Sequence, residues 1–185
     1  MSDRKVKGTM LVDMVRMIRA TKDREWDEYL TPEDWKIVME TILPSSWYPL
    51  ELYQKLGVAV FRVLAGGDTE ITRLRGKTRG KELFEDVYRN IVSKKDPMAA
   101  LSKFVNIYGN LFNFSSLKFE QAGGKHALVK HDYDPDDPGN VPYCYLLMGH
   151  LEVLVEMTGG ENVTIELTSK QWEGDPITTF DIKWE

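Results

Sequence analysis

The sequence predicts an α+β protein in which N-terminal helices pack on a C-terminal ββαββ antiparallel sheet. Two observations carry this. Apolar residues recur at spacings of three and four through residues 1–110. From residue 111 onward, four short segments alternate apolar with polar around one further helical span. Helices segregated from strands along a chain argue for a sheet with helices on one face.

Each element has its own signal. Met10, Leu11, Met14, Val15, Met17 and Ile18 form one apolar stripe at helical spacing. Thr31-Pro32-Glu33-Asp34 gives a capping hydroxyl, a proline at the first helical position and acids facing the dipole. That helix stops before Pro44. A longer one over residues 46–64 buries Tyr53, Leu56, Val60 and Leu64, and Gly66-Gly67 ends it. Leu83, Phe84, Val87, Tyr88 and Ile91 repeat at three and four, and Asp96-Pro97 opens a helix carrying Leu101, Phe104, Val105 and Tyr108. Phe112-Asn113-Phe114 and Leu117-Lys118-Phe119-Glu120 alternate as a half-buried strand does. Gly123-Gly124 supplies the positive φ angles of a turn, and residues 127–133 return as a second strand. An acidic loop then leads into a helix over residues 143–157, and residues 163–167 and 179–184 form a second hairpin around Glu173-Gly174-Asp175.

Length and composition bound the function. The 185 residues suit one domain (1–185), with a helical part over 1–110 and a ββαββ part over 111–185. Such a chain buries a core without disulfides or structural metal. A single cysteine, Cys144, excludes an internal disulfide and fits a reducing, cytoplasmic setting. No stretch has the length and apolarity of a membrane span, and MSDRKVKG lacks the apolar core of a secretory signal. Twenty-nine acids against 24 bases, with no aromatics among the clustered bases, argue against nucleic acid.

The chemical motifs mostly fail on inspection. Gly76-Lys77-Thr78 looks like the tail of a phosphate-binding loop, but Ile71 stands where its first glycine is required. The bases of residues 72–81 therefore read as a solvated loop at a helix entrance. Arg73, Arg75, Lys77 and Arg79 are its candidates for contact with an acidic partner. Asp132, Asp134 and Asp136 mimic a calcium loop, but Asp137 and Tyr143 occupy the positions of its glycine and bidentate acid. Cys144, His126, His131 and His150 show no zinc spacing. His150 sits on an apolar helical arc, as a core histidine or as one that meets a ligand. No nucleophile signature is present, so no enzyme is expected. Trp47, Tyr48, Tyr108, Phe112, Phe114, Tyr143, Leu147 and His150 are candidates to line an apolar ligand pocket, with ordinary core packing as the alternative.

The order Pro142-Tyr-Cys144, Gly149, Gly159-Gly160, Val163 to Glu166, Gly174-Asp175-Pro176 and Thr179-Phe180 resembles the 4-vinyl-reductase-type domain. That domain is shared by aromatic-effector sensors and, more remotely, by TRAPP vesicle-tethering subunits. The whole chain, with Trp47-Tyr48-Pro49 and Trp184, also resembles an uncharacterised family common in myxobacteria and other deltaproteobacteria. The resemblance implies a sensor of an apolar small molecule in bacterial signalling. Its alternative is a protein-interaction module that pairs with itself or another chain through a TRAPP-like surface. The sensors hold zinc through several cysteines, and here Lys170 and Thr178 stand in two of those places, so no metal and no cofactor are expected. Haem-nitric-oxide domains are neighbours in this reading; their Tyr-x-Ser-x-Arg contact to haem propionates is absent, so haem is not carried over.

Overall fold

The computed structural model describes residues 3–114 and 116–185. Its order is β1 (Lys5–Lys7), α1 (Thr9–Ala20), α2 (Pro32–Met39), β2 (Trp47–Pro49), α3 (Leu50–Ala65), α4 (Thr69–Asp86), α5 (Arg89–Val92), α6 (Pro97–Gly109), β3 (Leu117–Gly123), β4 (His126–His131), α7 (Asn140–Met157), β5 (Thr164–Ser169) and β6 (Thr178–Lys183). The architecture is α+β.

The local signals act as their chemistry requires. Thr31 and Asp34 form a reciprocal capping box: the Thr31 hydroxyl accepts from the Asp34 N–H, and the Asp34 carboxylate accepts from the Thr31 N–H at 2.8 Å. Burial works against that carboxylate, but the Thr31 N–H and the Lys55 ammonium hold it below its usual range. Gly66 ends α3 at φ 61°, a left-handed angle that suits glycine. Asp96 accepts from the Ala99 N–H with Pro97 at the first helical position.

Several boundaries differ from expectation. Residues 47–49 leave the long helix and pair as β2 with β1, an addition of two short strands the sequence pattern did not show. Residues 72–81 are not a loop but the middle of α4, whose first N–H groups the Asp68 carboxylate caps. Phe112 makes an isolated bridge to Val6 outside the sheet, with Phe112 and Phe114 facing the interior and Asn113 exposed between them. The turn at Gly123-Gly124 uses no positive φ; among the described residues those angles occur at Gly66, Gly67, Gly159, Asn162 and Gly174.

The four C-terminal strands form one antiparallel sheet in the order β3-β4-β6-β5. Ala127, Val129 and His131 of β4 and Phe180 and Ile182 of β6 make its buried face. α7 lies between this face and the other helices. Nearly all of it is apolar, with Leu147, Leu151 and Leu154 fully buried, as a helix covered on all sides requires. It crosses α4 at backbone contact: a Cβ on Gly76 would meet the Leu146 carbonyl oxygen at 2.1 Å, and one on Gly149 the Arg73 carbonyl oxygen at 2.1 Å. Only glycine permits this approach. Beside the crossing, buried Glu152 accepts from Arg73 at 2.6 Å and from Lys77 at 2.9 Å. Among the described residues no helix is long and apolar enough to cross a membrane.

Candidate functional site

Two adjoining cavities lie beneath the helices. The larger, about 240 Å³, is enclosed by α1, α4, α6 and α7, with Met10, Met14, Arg79, Tyr108 and His150 in its wall. The smaller, about 70 Å³, lies between α3, the stretch carrying Phe112 and Phe114, the end of β4 and the start of α7, against Phe61, His131 and Tyr143. Met14, Tyr53, Arg75 and Leu146 border both, and so form the partition between them.

A run of aromatic rings sets the shape of this region. Tyr108 packs on Phe112 at 5.9 Å between ring centres and on Tyr143 at 6.4 Å, and Phe112 meets Phe114 at 5.4 Å. The imidazole of His131 stacks on Tyr133 at 5.6 Å and lies 4.7 Å from Tyr143. These tilted and edge-on contacts stabilise beyond simple area burial. The cleft is thus walled by rigid, flat surfaces.

Most of its polar groups are matched: Arg16 and Arg79 hold Asp13, Arg79 also holds Glu82, and the Gln54 amide donates to Asp137. Among the described residues, His150 Nδ1 and Nε2 and the Tyr143 hydroxyl are buried without a hydrogen-bond partner. An unmatched buried polar group costs about 1–3 kcal/mol. Burial, with the nearby Arg79 charge, lowers the pKa of His150 to about 4, so the imidazole is neutral at pH 7. Burial likewise lowers His131 to about 4, and its Nδ1 lies 3.9 Å from the Cys144 sulfur. Burial pushes the Cys144 thiol well up, which keeps it protonated and unreactive.

The residues singled out from the sequence fall into two groups. Tyr108 and His150 line the larger cavity, and Phe112, Phe114 and Tyr143 the smaller. Trp47, Tyr48 and Leu147 line neither. Trp47 is exposed under the Lys7 ammonium at 4.0 Å, and the Tyr48 hydroxyl accepts from the Leu43 N–H. Leu147 is core, while its neighbour Leu146 faces the cavities. The basic stretch is largely spent inside the chain: Arg73 and Lys77 hold Glu152, Lys77 also holds Glu156, and Arg79 pairs with Asp13 and Glu82. Arg75 alone turns into the partition. Met14 and Leu146 were not singled out as site residues. A helical wheel over residues 69–86 would have found Arg75, because Thr72, Arg75, Gly76 and Arg79 share one face.

An antiparallel four-stranded sheet under a helical layer, with aromatic-walled cavities beneath the helices, defines an α+β fold. No family model and no curated protein matches the sequence. Solved structures do match, over nearly the whole chain. An H-NOX protein from S. oneidensis in the Fe(II)NO ligation state aligns with TM-score 0.67 and 11% identity, covering 97% of this chain and 99% of that one. The Fe(II) unliganded H-NOX protein from K. algicida aligns at 0.64 and 11%, covering 97% and 96%. A structure solved to probe heme distortion in the H-NOX family aligns at 0.61 and 14%, covering 97% and 95%. The fold is that of the H-NOX proteins.

This overturns the resemblance to the 4-vinyl-reductase, TRAPP-like and myxobacterial families. The residues that suggested it have local duties. Gly149 lets α7 touch α4, Gly160 packs on Trp184, Gly174 sits at φ 98°, and the Asp175 carboxylate accepts from the Lys170 N–H. Their order reports helix ends and turns. The expectation of no metal does not stand either. Lost thiolates argue only against a cysteine-held zinc, whereas the matching structures are described as Fe(II) and heme proteins.

Proposed function

We propose that this chain is a small-molecule sensing module rather than an enzyme, and that a flat, largely apolar ligand enters the cleft partitioned by Met14, Tyr53, Arg75 and Leu146. The observation that carries this reading is His150, a neutral buried imidazole with both nitrogens unmatched at the wall of the larger cavity. A buried group with no partner is stabilised by a ligand that supplies one. Aromatic walls suit a planar molecule, and among the described residues no activated nucleophile lines the space. Arg75 on α4 and Leu146 and His150 on α7 would feel an occupant together. Because α4 and α7 touch backbone to backbone, displacement of one passes to the other.

The same imidazole favours haem as one member of this ligand class. His150 would be the residue to hold its iron, and Arg75, the one cation along the larger cavity without an ion pair among the described residues, would face a carboxylate. A haem supplies an iron centre able to take a diatomic gas, as the S. oneidensis protein does with NO. The larger cavity, about 240 Å³, is smaller than the roughly 300–1,000 Å³ usual for drug-sized ligands, so haem uptake requires the partition to move.

Two assays test the reading. A ligand present at a hundred times its dissociation constant adds about 2.7 kcal/mol, which raises the melting temperature by roughly 5–10 °C. Naphthalene-sized ligands and haemin should both produce a shift. Haemin should also give an absorption band characteristic of a ligated haem that is lost in His150→Ala. Failure of every aromatic ligand to shift the melt would sink the sensing reading. A band unchanged in His150→Ala would remove His150 as the residue that holds the iron.

A further inference from the structure

The four cations of residues 73–79 are not equivalent. Arg73 is matched by Glu70 and Glu152, Lys77 by Glu152 and Glu156, and Arg79 by Asp13 and Glu82. The Arg75 guanidinium has no hydrogen bond or ion pair among the described residues, and it borders both cavities. The nearest opposing charge, Asp13, is already held by Arg16 and Arg79. Burial disfavours the Arg75 charge, with only that distant attraction to offset it.

A half-buried guanidinium without a counter-charge is an incomplete site, because the other charged groups along the cleft, Asp13, Arg16, Arg79, Glu82 and Asp137, are already matched to one another or to Gln54. Its planar fork suits a carboxylate, which it meets with two parallel hydrogen bonds. The space around it offers Tyr53, Phe112, Tyr143, Met14 and Leu146, which suit an aromatic body. We infer that the cleft selects aromatic anions, with Arg75 binding the carboxylate and the Tyr53–Leu146 partition packing against the ring system. This rests on the sensing reading and adds to it the charge of the ligand. It also explains why one cation of an ion-paired helix is kept out of the surface network.

The test compares a carboxylate with its neutral isostere. The full chain is loaded with phenylnaphthylamine, a neutral dye that fluoresces in apolar clefts, and the dye is displaced with naphthoic acid or naphthamide. The acid should displace the dye about tenfold better than the amide, the difference a charge-assisted hydrogen-bonded pair supplies. In Arg75→Gln that preference should disappear while dye binding persists, which also shows that the variant folds. Arg75→Lys should keep part of the preference, since it retains charge without the fork. Dye binding with equal displacement by acid and amide would overturn the anion selectivity and leave the apolar cleft standing. A preference that survives in Arg75→Gln would overturn the role of Arg75. No dye binding at all would overturn the sensing reading, and this inference with it.

Discussion

Replacing Gly149 by alanine puts the packing that positions the cleft to a direct test. The added Cβ would lie 2.1 Å from the Arg73 carbonyl oxygen and 2.5 Å from the Lys77 amide nitrogen. Ordinary van der Waals contact begins more than 1 Å farther out, and both obstacles are backbone, so no rotamer change relieves the clash. α4 and α7 must separate. Overpacking of this kind costs about 1–3 kcal/mol, and backbone obstruction on both sides places it at the upper end. Removing glycine from a helix interior returns about 1 kcal/mol. The net loss is about 2 kcal/mol, or roughly 4–8 °C in melting temperature for a chain of this size. Gly57 on α3 is the control, since a Cβ there meets nothing within 4 Å. Gly57→Ala should raise the melting temperature by roughly 2–4 °C through helix propensity alone. Thermal melts of the two variants by circular dichroism decide the matter. A Gly149→Ala protein that melts at or above the parent would refute the close crossing of α4 and α7.

Other outcomes follow from the same geometry. His131 and His150 have native pKa values of about 4 against an ordinary 6.5, so between these values the unfolded chain binds protons that the folded chain does not. Stability is therefore fully present above pH 6.5 and falls as pH drops toward 4, by on the order of 2 kcal/mol per histidine at pH 5. Urea midpoints at pH 7 and 5 measure this, and His150→Leu should flatten the dependence. Thr31→Ala removes the α2 cap and should lower stability by about 1 kcal/mol in chemical denaturation. Glu152→Ala leaves Arg73 and Lys77 without their shared buried carboxylate, though Glu70 and Glu156 remain. It should cost about 1–2 kcal/mol, and equal melts for parent and variant would show that the pair contributes nothing.

The elements easiest to read from the sequence were those whose own residues set their limits. Thr31-Pro32, Asp96-Pro97 and Gly66-Gly67 fix helix ends by capping and backbone angle, and the four sheet strands carry alternation that survives into the fold. α4 was hidden because Gly76 and Gly80 look like helix breakers. They are there for contact with α7, a tertiary demand invisible to local propensity. The short β1–β2 pair depends on residues 40 to 44 positions apart, Lys5 with Pro49 through Lys7 with Trp47, and has no periodicity of its own. Of the site, the aromatic residues were legible from their clustering in sequence. The inward turn of Arg75 was not, because it follows from the helix that the glycines concealed. His150 was recognised as lying on an apolar arc, but its lack of partners appears only when Gly80, Val153 and the cavity wall surround it.

On the proposed function, the cleft beside Leu146 takes a flat apolar ligand. A fluorescence titration of phenylnaphthylamine into the parent chain and into Leu146→Trp tests it most directly, because the indole would fill the partition shared by both cavities. Saturable one-to-one binding in the parent, weakened at least about tenfold in a variant that still melts cooperatively, is the expected result. Equal binding by both proteins, or none by the parent, would contradict it.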